Sequence, residues 1–168
     1  ISTIELANAG EMKTLEEYFR KLKQHIETKQ LSNEDGGSKE QIFTRYATDL
    51  LKLKGETDNV SVSYDEKTVG KRPHKINAYA ITDENLLLDL FVTKYVAGSK
   101  IPTLSQSDLD KLTSQIRNFY YKAREDKYAI NIAESSEIFN FATILDQDDD
   151  FNDNISKIRV FILTNAEC

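Results

Sequence analysis

The sequence predicts a mixed α/β fold of the α+β kind, in which a mixed central sheet with a three-strand meander is flanked by helices. Three observations predict it. Apolar residues recur at helical spacing up to residue 55, and the period then changes to two within residues 60–95. Further helical segments separate the third strand from a last apolar run at 157–164. A meander followed by helical crossovers to another strand implies a mixed sheet with helices on its faces.

Two helices are predicted before the sheet. The first covers residues 11–29 and starts near Thr14, where a capping-box pattern occurs. Its apolar positions are Leu15, Tyr18, Phe19, Leu22 and Ile26. A glycine-containing loop at 32–37 precedes a second capping box at residues 38–41 and a second helix that ends at Gly55. The apolar side of that helix is predicted to carry Ile42, Phe43, Tyr46, Leu50 and Leu53.

Three strands follow. Val60 and Val62 alternate with serines, which is typical of a short strand. A turn over 67–75 leads to a second strand at 76–82, and a turn at 83–85 leads to a third strand at 86–95. The third strand is apolar almost throughout, which predicts burial on both faces. The short connection between the last two strands predicts a hairpin.

The remaining elements complete the sheet. A third helix is predicted at about 106–125, with a buried stripe formed by Leu109, Leu112, Ile116, Phe119, Tyr120 and Ala123. A short strand is predicted at 128–132 and a short helix at about 134–146. An acidic loop at 146–153 then precedes the last buried strand, at 157–164.

Composition limits the function classes. The chain has 168 residues and a net charge of −6, from 22 basic and 28 acidic side chains, so no overall positive charge favours nucleic-acid binding. One cysteine, Cys168, and two histidines exclude an internal disulfide, a cysteine-based zinc site and a histidine-rich metal site. We find no apolar run of membrane-spanning length and no signal peptide, and we expect a cytoplasmic protein that does not enter a membrane.

We expect residues 1–168 to form one domain, with a helical lead-in over 1–55 and the sheet and crossover helices over 56–165. The first residue is Ile1, and the last residues follow directly on a strand-like run. We therefore expect the sequence to be a fragment of a longer protein.

Three segments together resemble a known family: residues 41–56 of the second helix, residues 74–95 of the hairpin, and the closing strand at 157–164. Their order and spacing resemble the N-terminal domain of the abortive-infection phage-resistance (AIPR) proteins of bacteria, over about residues 38–165. The resemblance implies a restriction-endonuclease-like fold and an anti-phage defence protein, of which this chain is the N-terminal module.

The resemblance also implies a place for a catalytic site. In the related nuclease fold, an acidic residue on one hairpin strand and an acidic-x-Lys triplet on the next hold Mg²⁺, which activates water. Here Asn77 takes the position of the first acid and Val92 that of the second, so that only Lys94 matches the pattern. An amide and an alkyl side chain are poor ligands for a hard cation. We therefore predict weak or no Mg²⁺ binding, no metal site and no cofactor.

The register of the hairpin decides whether these residues can meet. With a two-residue turn at 84–85, Asn77 faces Val92, and Asn77 and Lys94 share a sheet face. With a three-residue turn, Thr82 faces Leu86, and the two side chains fall on opposite faces. The first register would keep a remnant of the site and the second would remove it.

Other candidates are Asp89, the basic loop and the second helix. Asp89 interrupts an apolar strand and is a candidate displaced metal ligand, or else a carboxylate that is paired with a nearby base or faces solvent. Basic side chains just before the hairpin are candidates for contacting phosphates: Lys67, Lys71, Arg72, His74 and Lys75. Glu40 and Asp49 on the second helix are candidates to supply a carboxylate from outside the hairpin.

We favour a non-catalytic, degenerate nuclease-like module that binds nucleic acid or another partner. The candidate partners are DNA or RNA, the remainder of a longer chain, or a second copy of this chain. One alternative is an active Mg²⁺-dependent nuclease with migrated carboxylates, which would use Asp89 with Lys94. The other is a structural or oligomerisation domain. If the chain is an enzyme, we expect a metal-dependent nuclease.

Overall fold

The computed structural model describes residues 2–3, 15–32, 38–82 and 86–167 and confirms the mixed α/β class. In chain order, the elements are β1 (Ser2–Thr3), α1 (Leu15–Ser32), α2 (Lys39–Leu53), β2 (Val60–Lys67), β3 (His74–Ile81), β4 (Leu87–Lys94), α3 (Gln106–Glu125), α4 (Phe139–Gln147), α5 (Asp149–Asn154) and β5 (Lys157–Thr164). None of the described helices is long and apolar enough to cross a membrane.

The strands form one mixed sheet in the order β1-β5-β4-β3-β2. Strands β2, β3 and β4 form the predicted antiparallel meander, and β5 pairs with β4 in parallel. Parallel neighbours need a long crossover, which the segment containing α3, α4 and α5 provides. The two-residue strand β1, which the sequence analysis did not predict, pairs in parallel with β5.

The sheet separates two apolar layers. On one face, α1 and α2 pack through side chains such as Ile26, Phe43 and Ala47 against Phe91 and Phe161 of the sheet. On the other face, α3 and α4 cover Leu88, Leu90, Val92 and Ile162, among other residues. The residues of β4 alternate between the two layers, so this strand is buried on both faces, as predicted.

The hairpin has the first of the two registers considered. Ala78 pairs with Phe91, and Ile81 pairs with Leu88, which is the alignment that a two-residue turn at 84–85 predicts. The turn itself, at 83–85, lies outside the described residues. The loop predicted at 32–37 and the first capping box, at 14–17, also fall wholly or partly outside them.

Regular alternation along β3 breaks close to Asn77. On the β2 side, the pairing shifts between Val62 and Asp65, which oppose Ala78 and Ile76 and so form a β-bulge. Ile76 packs in the α3 layer and Ala78 in the α2 layer, although residues two apart in a regular strand share a face. Register alone therefore does not determine the direction of the Asn77 side chain.

The ends of the long helices follow the sequence signals. Ser38 caps α2 by accepting a hydrogen bond from the Gln41 backbone N–H, and Gly55 follows that helix with a φ of +72°. Ser105 and Asp108 form a complete capping box at the start of α3. Helix α3 has the predicted bounds, and its most buried apolar side chains are those of Leu112, Ile116, Phe119 and Ala123.

The predicted apolar side of α2 was wrong by part of a turn. Its buried residues are Phe43, Thr44, Ala47, Thr48 and Leu51, whereas Leu53 is 84% exposed. The hydroxyls of Thr44 and Thr48 donate to the carbonyls of Glu40 and Thr44, one turn earlier. Because these polar groups are satisfied within the helix, threonines can occupy the side that faces the sheet.

The short strand predicted at 128–132 was also wrong, because Tyr128–Asn131 form a 3₁₀ helix. Lys127, just after α3, has a left-handed backbone conformation with a φ of 53°. The chain changes direction there, and Tyr128 and Ala129 are buried in the core. The fourth helix starts later than predicted, at Phe139, and part of the acidic loop is helical, as α5.

Candidate functional site

A largely buried polar cluster lies between the first turns of α2 and the strands β3 and β4. We call it the Glu40 cluster, and its members are Glu40, Gln41, Thr44, Lys75, Asn77 and Thr93. Thr44, Lys75, Asn77 and Thr93 are buried. The cap at Ser38 starts α2 just before Glu40 and Gln41 and thereby fixes their position above the strands.

The Lys75 ammonium is held inside the Glu40 cluster. Its Nζ donates to Glu40 Oε1 at 2.6 Å and to the Thr93 carbonyl oxygen at 2.7 Å. Glu40 lies in the first turn of α2, where the free backbone N–H groups of the helix favour a negative charge. The lysine and the glutamate neutralise each other, since a buried charge must be paired.

Asn77 joins the helix to both strands of the hairpin. Its Oδ1 accepts the Thr93 backbone N–H at 2.8 Å, and its Nδ2 donates to Gln41 Oε1 at 2.9 Å and to Glu40 Oε2 at 3.2 Å. Because a backbone N–H can only donate, the atom that faces it must be the amide oxygen. Gln41 Nε2 also donates to the Asn77 carbonyl oxygen, at 3.2 Å.

These contacts specify an amide at position 77. An aspartate would keep the acceptor for Thr93 but would lose both bonds that Nδ2 donates. Its second oxygen would then face oxygens of Glu40 and Gln41 at about the distances that now hold hydrogen bonds. The carboxylate of Glu40 and an aspartate carboxylate at position 77 would be close enough to require a cation or a proton between them.

The residues of the Glu40 cluster do not fit a divalent cation. The cluster contains one carboxylate, and its charge is already balanced by the Lys75 ammonium. The remaining members provide amides and hydroxyls, whereas Mg²⁺ in proteins is held mainly through carboxylates and water. No group of three or more His, Cys, Asp or Glu side chains that could hold a metal ion occurs among the described residues.

Asn77 and Lys94 do not meet, although the register is the one expected to bring them to one face. Asn77 contacts α2, whereas Lys94 Nζ donates to Asp108 Oδ1 at 3.0 Å at the start of α3 on the other face. The prediction of a shared face was wrong because β3 is irregular at this point. Lys94, with Ser105, lowers the pKa of Asp108 to about 2.

Asp89 is fully buried, and both of its carboxylate oxygens accept hydrogen bonds. Arg159 donates to both of its oxygens, at 2.7 and 2.8 Å, and Thr57 Oγ1 donates to Oδ2 at 2.8 Å. This contact raises the pKa of Arg159. Asp89 and Lys94 lie five residues apart on a regular strand and so point to opposite faces. The structure therefore does not bring together the pair that the nuclease alternative would use.

The basic residues before the hairpin divide into two groups. Lys67, Lys71 and Arg72 are exposed around the loop between β2 and β3. Arg72 pairs with Asp126 at 2.6 Å, and Asn118 donates to the Pro73 carbonyl oxygen at 2.8 Å, so the loop is fixed against α3. Lys75 and His74 are buried instead, and the Lys75 ammonium donates two hydrogen bonds within the Glu40 cluster.

The two carboxylates of the second helix have separate surroundings. Glu40 is central to the cluster described above, whereas Asp49 is exposed and lines a groove of about 470 Å³ between α1 and α2. Sequence reasoning missed Gln41, Thr44 and Thr93 as members of the cluster. Polar residues on the helix side that faces the sheet were the available signal, since a buried polar side chain needs a partner there.

The comparisons with known proteins gave one match. A family model described as abortive infection phage resistance protein N-terminal domain matches residues 43–168, which include Lys75, Asn77 and Thr93. Glu40 and Gln41 precede the matched range. The searches of curated proteins and of solved structures gave no match.

We predict that Lys94→Met raises the pKa of Asp108 from about 2 towards the ordinary value of 3.8, because the largest cause of the shift is removed. The bonds from Ser105 keep it somewhat below that value. A lowered carboxyl pKa stabilises the fold above the unfolded-state pKa, and this contribution is lost as the pH falls towards the folded-state value. Carboxyl NMR titration measures the pKa directly. Lys111→Met, on the same helix, is the control, and an unchanged pKa in Lys94→Met would refute the assignment.

We predict that Arg159→Met lowers the free energy of unfolding by about 2–3 kcal/mol, because it leaves the Asp89 carboxylate buried and unpaired. The loss is smaller than for a fully buried pair, since the Arg159 side chain is 28% exposed. Urea unfolding followed by circular dichroism measures it. Lys157→Met, at the exposed start of the same strand, should change stability by less than about 0.5 kcal/mol. A loss for Arg159→Met no larger than that of the control would contradict a structural role for the pair.

Proposed function

The chain belongs to the family of abortive infection phage resistance protein N-terminal domains, and we propose that its core is a degenerate nuclease-like module that binds nucleic acid without cutting it. The Lys75 ammonium, held between Glu40 and Thr93, is the observation that carries this proposal. It lies beside Asn77, the position where the family resemblance would put a metal-binding acid.

The arrangement of the elements supports a restriction-endonuclease-like core. Helix α2, the meander β2-β3-β4, the crossover helix α3 and the parallel strand β5 follow one another in the order that the resemblance implies. In such a core, the acids of the hairpin need a divalent cation to activate water and to stabilise charge on the phosphate. Here a buried lysine supplies the positive charge, and an ammonium donates hydrogen bonds but does not coordinate and activate a water molecule as a metal ion does.

The exposed basic loop supports nucleic acid as the partner. Lys67, Lys71 and Arg72 project where β2 and β3 are joined, and Arg72 is held in place by Asp126. Phosphate contacts of this kind position a nucleic acid without reading its sequence. The net charge of −6 makes a local patch necessary, because the protein as a whole repels a polyanion.

We predict salt-dependent binding of DNA or RNA by this loop. Fluorescence anisotropy with labelled single-stranded and duplex oligonucleotides at 50–200 mM salt should show an affinity that falls as salt rises. The double variant Lys71→Ala/Arg72→Ala should make the negative slope of log K against log salt shallower by about 1–2, because up to two phosphate contacts are lost. Lys54→Ala, an exposed lysine just after α2, should leave the slope unchanged.

The same preparations should not nick supercoiled plasmid with Mg²⁺ or Mn²⁺. Metal-dependent nicking that is lost in Glu40→Gln or Lys94→Ala would replace this proposal with the active nuclease. Absence of binding to every oligonucleotide at 50 mM salt, together with a stable dimer in solution, would favour a structural domain instead.

A further inference from the structure

A second cluster of charged side chains lies on the α3 side of the sheet and takes no part in the Glu40 cluster. It is centred on His74, whose side chain is fully buried. His74 Nε2 lies 2.6 Å from Asp65 Oδ2, and His74 Nδ1 lies 2.9 Å from Lys122 Nζ. Neither Asp65 nor Lys122 was predicted from the sequence as a site residue.

The contacts fix the proton on the imidazole. An ammonium can only donate, so Nδ1 accepts from Lys122, and the single ring proton is on Nε2 and is donated to Asp65. In this arrangement, His74 is neutral. Lys122 is therefore held in place by a group that offers it no negative charge.

The Asp65 carboxylate is already used by other groups. Tyr128 Oη donates to the same oxygen that His74 bonds, at 2.7 Å. Burial would raise the pKa of Asp65, but the hydrogen bonds from His74 and Tyr128 outweigh burial and lower it. The carboxylate oxygen is thus bonded by His74 and Tyr128, and the imidazole lies between this carboxylate and the ammonium of Lys122.

Positive charge is in excess at the outer side. The Lys67 ammonium lies 5.4 Å from the centroid of the Tyr128 ring, and Arg72 is bonded to Asp126. Three cations, Lys67, Arg72 and Lys122, thus face two carboxylates, Asp65 and Asp126. Burial lowers the pKa of Lys122, and repulsion from Lys67 and Arg72 lowers it further, which together outweigh the attraction of Asp65 and Asp126. An anion bound among the three cations would relieve that repulsion.

We propose that Lys67, Arg72 and Lys122 form a binding site for a phosphate group, with His74 as the positioning residue that holds Lys122. We call it the loop anion site. It rests on the proposed function, because it names the residues that would hold a nucleic-acid phosphate. It also adds Lys122, which is far from the loop in sequence. The fixed geometry distinguishes it from a set of mobile surface lysines, since the loop is tied to α3 by Arg72 and by Asn118.

The test is a titration of the protein with inorganic phosphate, followed by ¹H–¹⁵N NMR and compared with sodium chloride at equal ionic strength. We expect saturable shifts at the amides of residues 67–74 and 122. In Lys122→Met, the affinity should fall about tenfold, the effect of losing one charge-assisted hydrogen bond. Lys111→Met, an exposed lysine of the same helix, should bind phosphate as the wild type does.

Two results would overturn the loop anion site. One is a set of shifts that chloride reproduces at the same ionic strength, and the other is an undiminished affinity in Lys122→Met. Lys67→Met provides a second variant with an exposed side chain, so the test does not depend on how Lys122→Met folds. It should also weaken phosphate binding, and unchanged binding in that variant would remove Lys67 from the site.

Oligonucleotides with and without a 5′-phosphate separate this inference from the proposed function. If inorganic phosphate binds but no oligonucleotide does, the loop anion site is supported as a site for a phosphate compound other than a nucleic acid, and the proposed function fails. If oligonucleotides bind equally well to Lys122→Met and to the wild type, the proposed function stands, and the loop anion site is refuted.

Discussion

The ion pair between Lys75 and Glu40 is the interaction on which the account of this site depends. A buried lysine in a strand is paired with a partly buried glutamate in the first turn of a helix, and each neutralises the charge of the other. The same carboxylate accepts from Asn77, which in turn holds the backbone of β4 through Thr93. The pair therefore joins α2 to both strands of the hairpin, at the place where the proposed nuclease-like core would need an excess of negative charge to hold a metal ion.

The two faces of the sheet use their charges in opposite ways. On the α2 face, Lys75 and Asp89 each have a partner of opposite charge, and the polar groups around Asn77 are bonded. On the α3 face, His74 separates Lys122 from the carboxylate of Asp65, and positive charge remains on the outer side. Strand β3 connects the two arrangements, since His74 and Lys75 are consecutive residues that point to different layers. The proposed loop anion site therefore lies on the opposite face of the sheet from a cluster whose lysine is paired with a carboxylate.

Much of the fold follows from the sequence alone. The meander, the bounds of α3 and the strand β5 were predicted from local periodicity and capping residues, which depend on neighbours along the chain. The observed hairpin register is one of the two that the sequence left open. The errors came from tertiary contacts. The buried side of α2 includes Thr44 and Thr48 because their hydroxyls are satisfied within the helix, and residues 128–131 turn inward through the left-handed Lys127.

The candidate site was predictable only in part. Asn77, Glu40 and Lys75 were singled out separately, but a β-bulge and an irregular strand determined that they meet and that Lys94 does not join them. No periodicity in the sequence reports such an irregularity, because it depends on how two strands are paired. Asp65, Lys122 and Tyr128 are far apart in sequence, and they come together through the packing of α3 against β3.

A Mn²⁺ titration followed by NMR tests most directly whether the Lys75 ammonium takes the place of a divalent cation. Paramagnetic broadening reports bound Mn²⁺ residue by residue, whether or not the protein has any activity. The account predicts no selective broadening at the amides of Asn77 and Thr93 in the wild type. Saturable broadening centred on Glu40, Asn77 and Thr93 at micromolar Mn²⁺ would contradict it, because a cation would then displace Lys75 from its carboxylate.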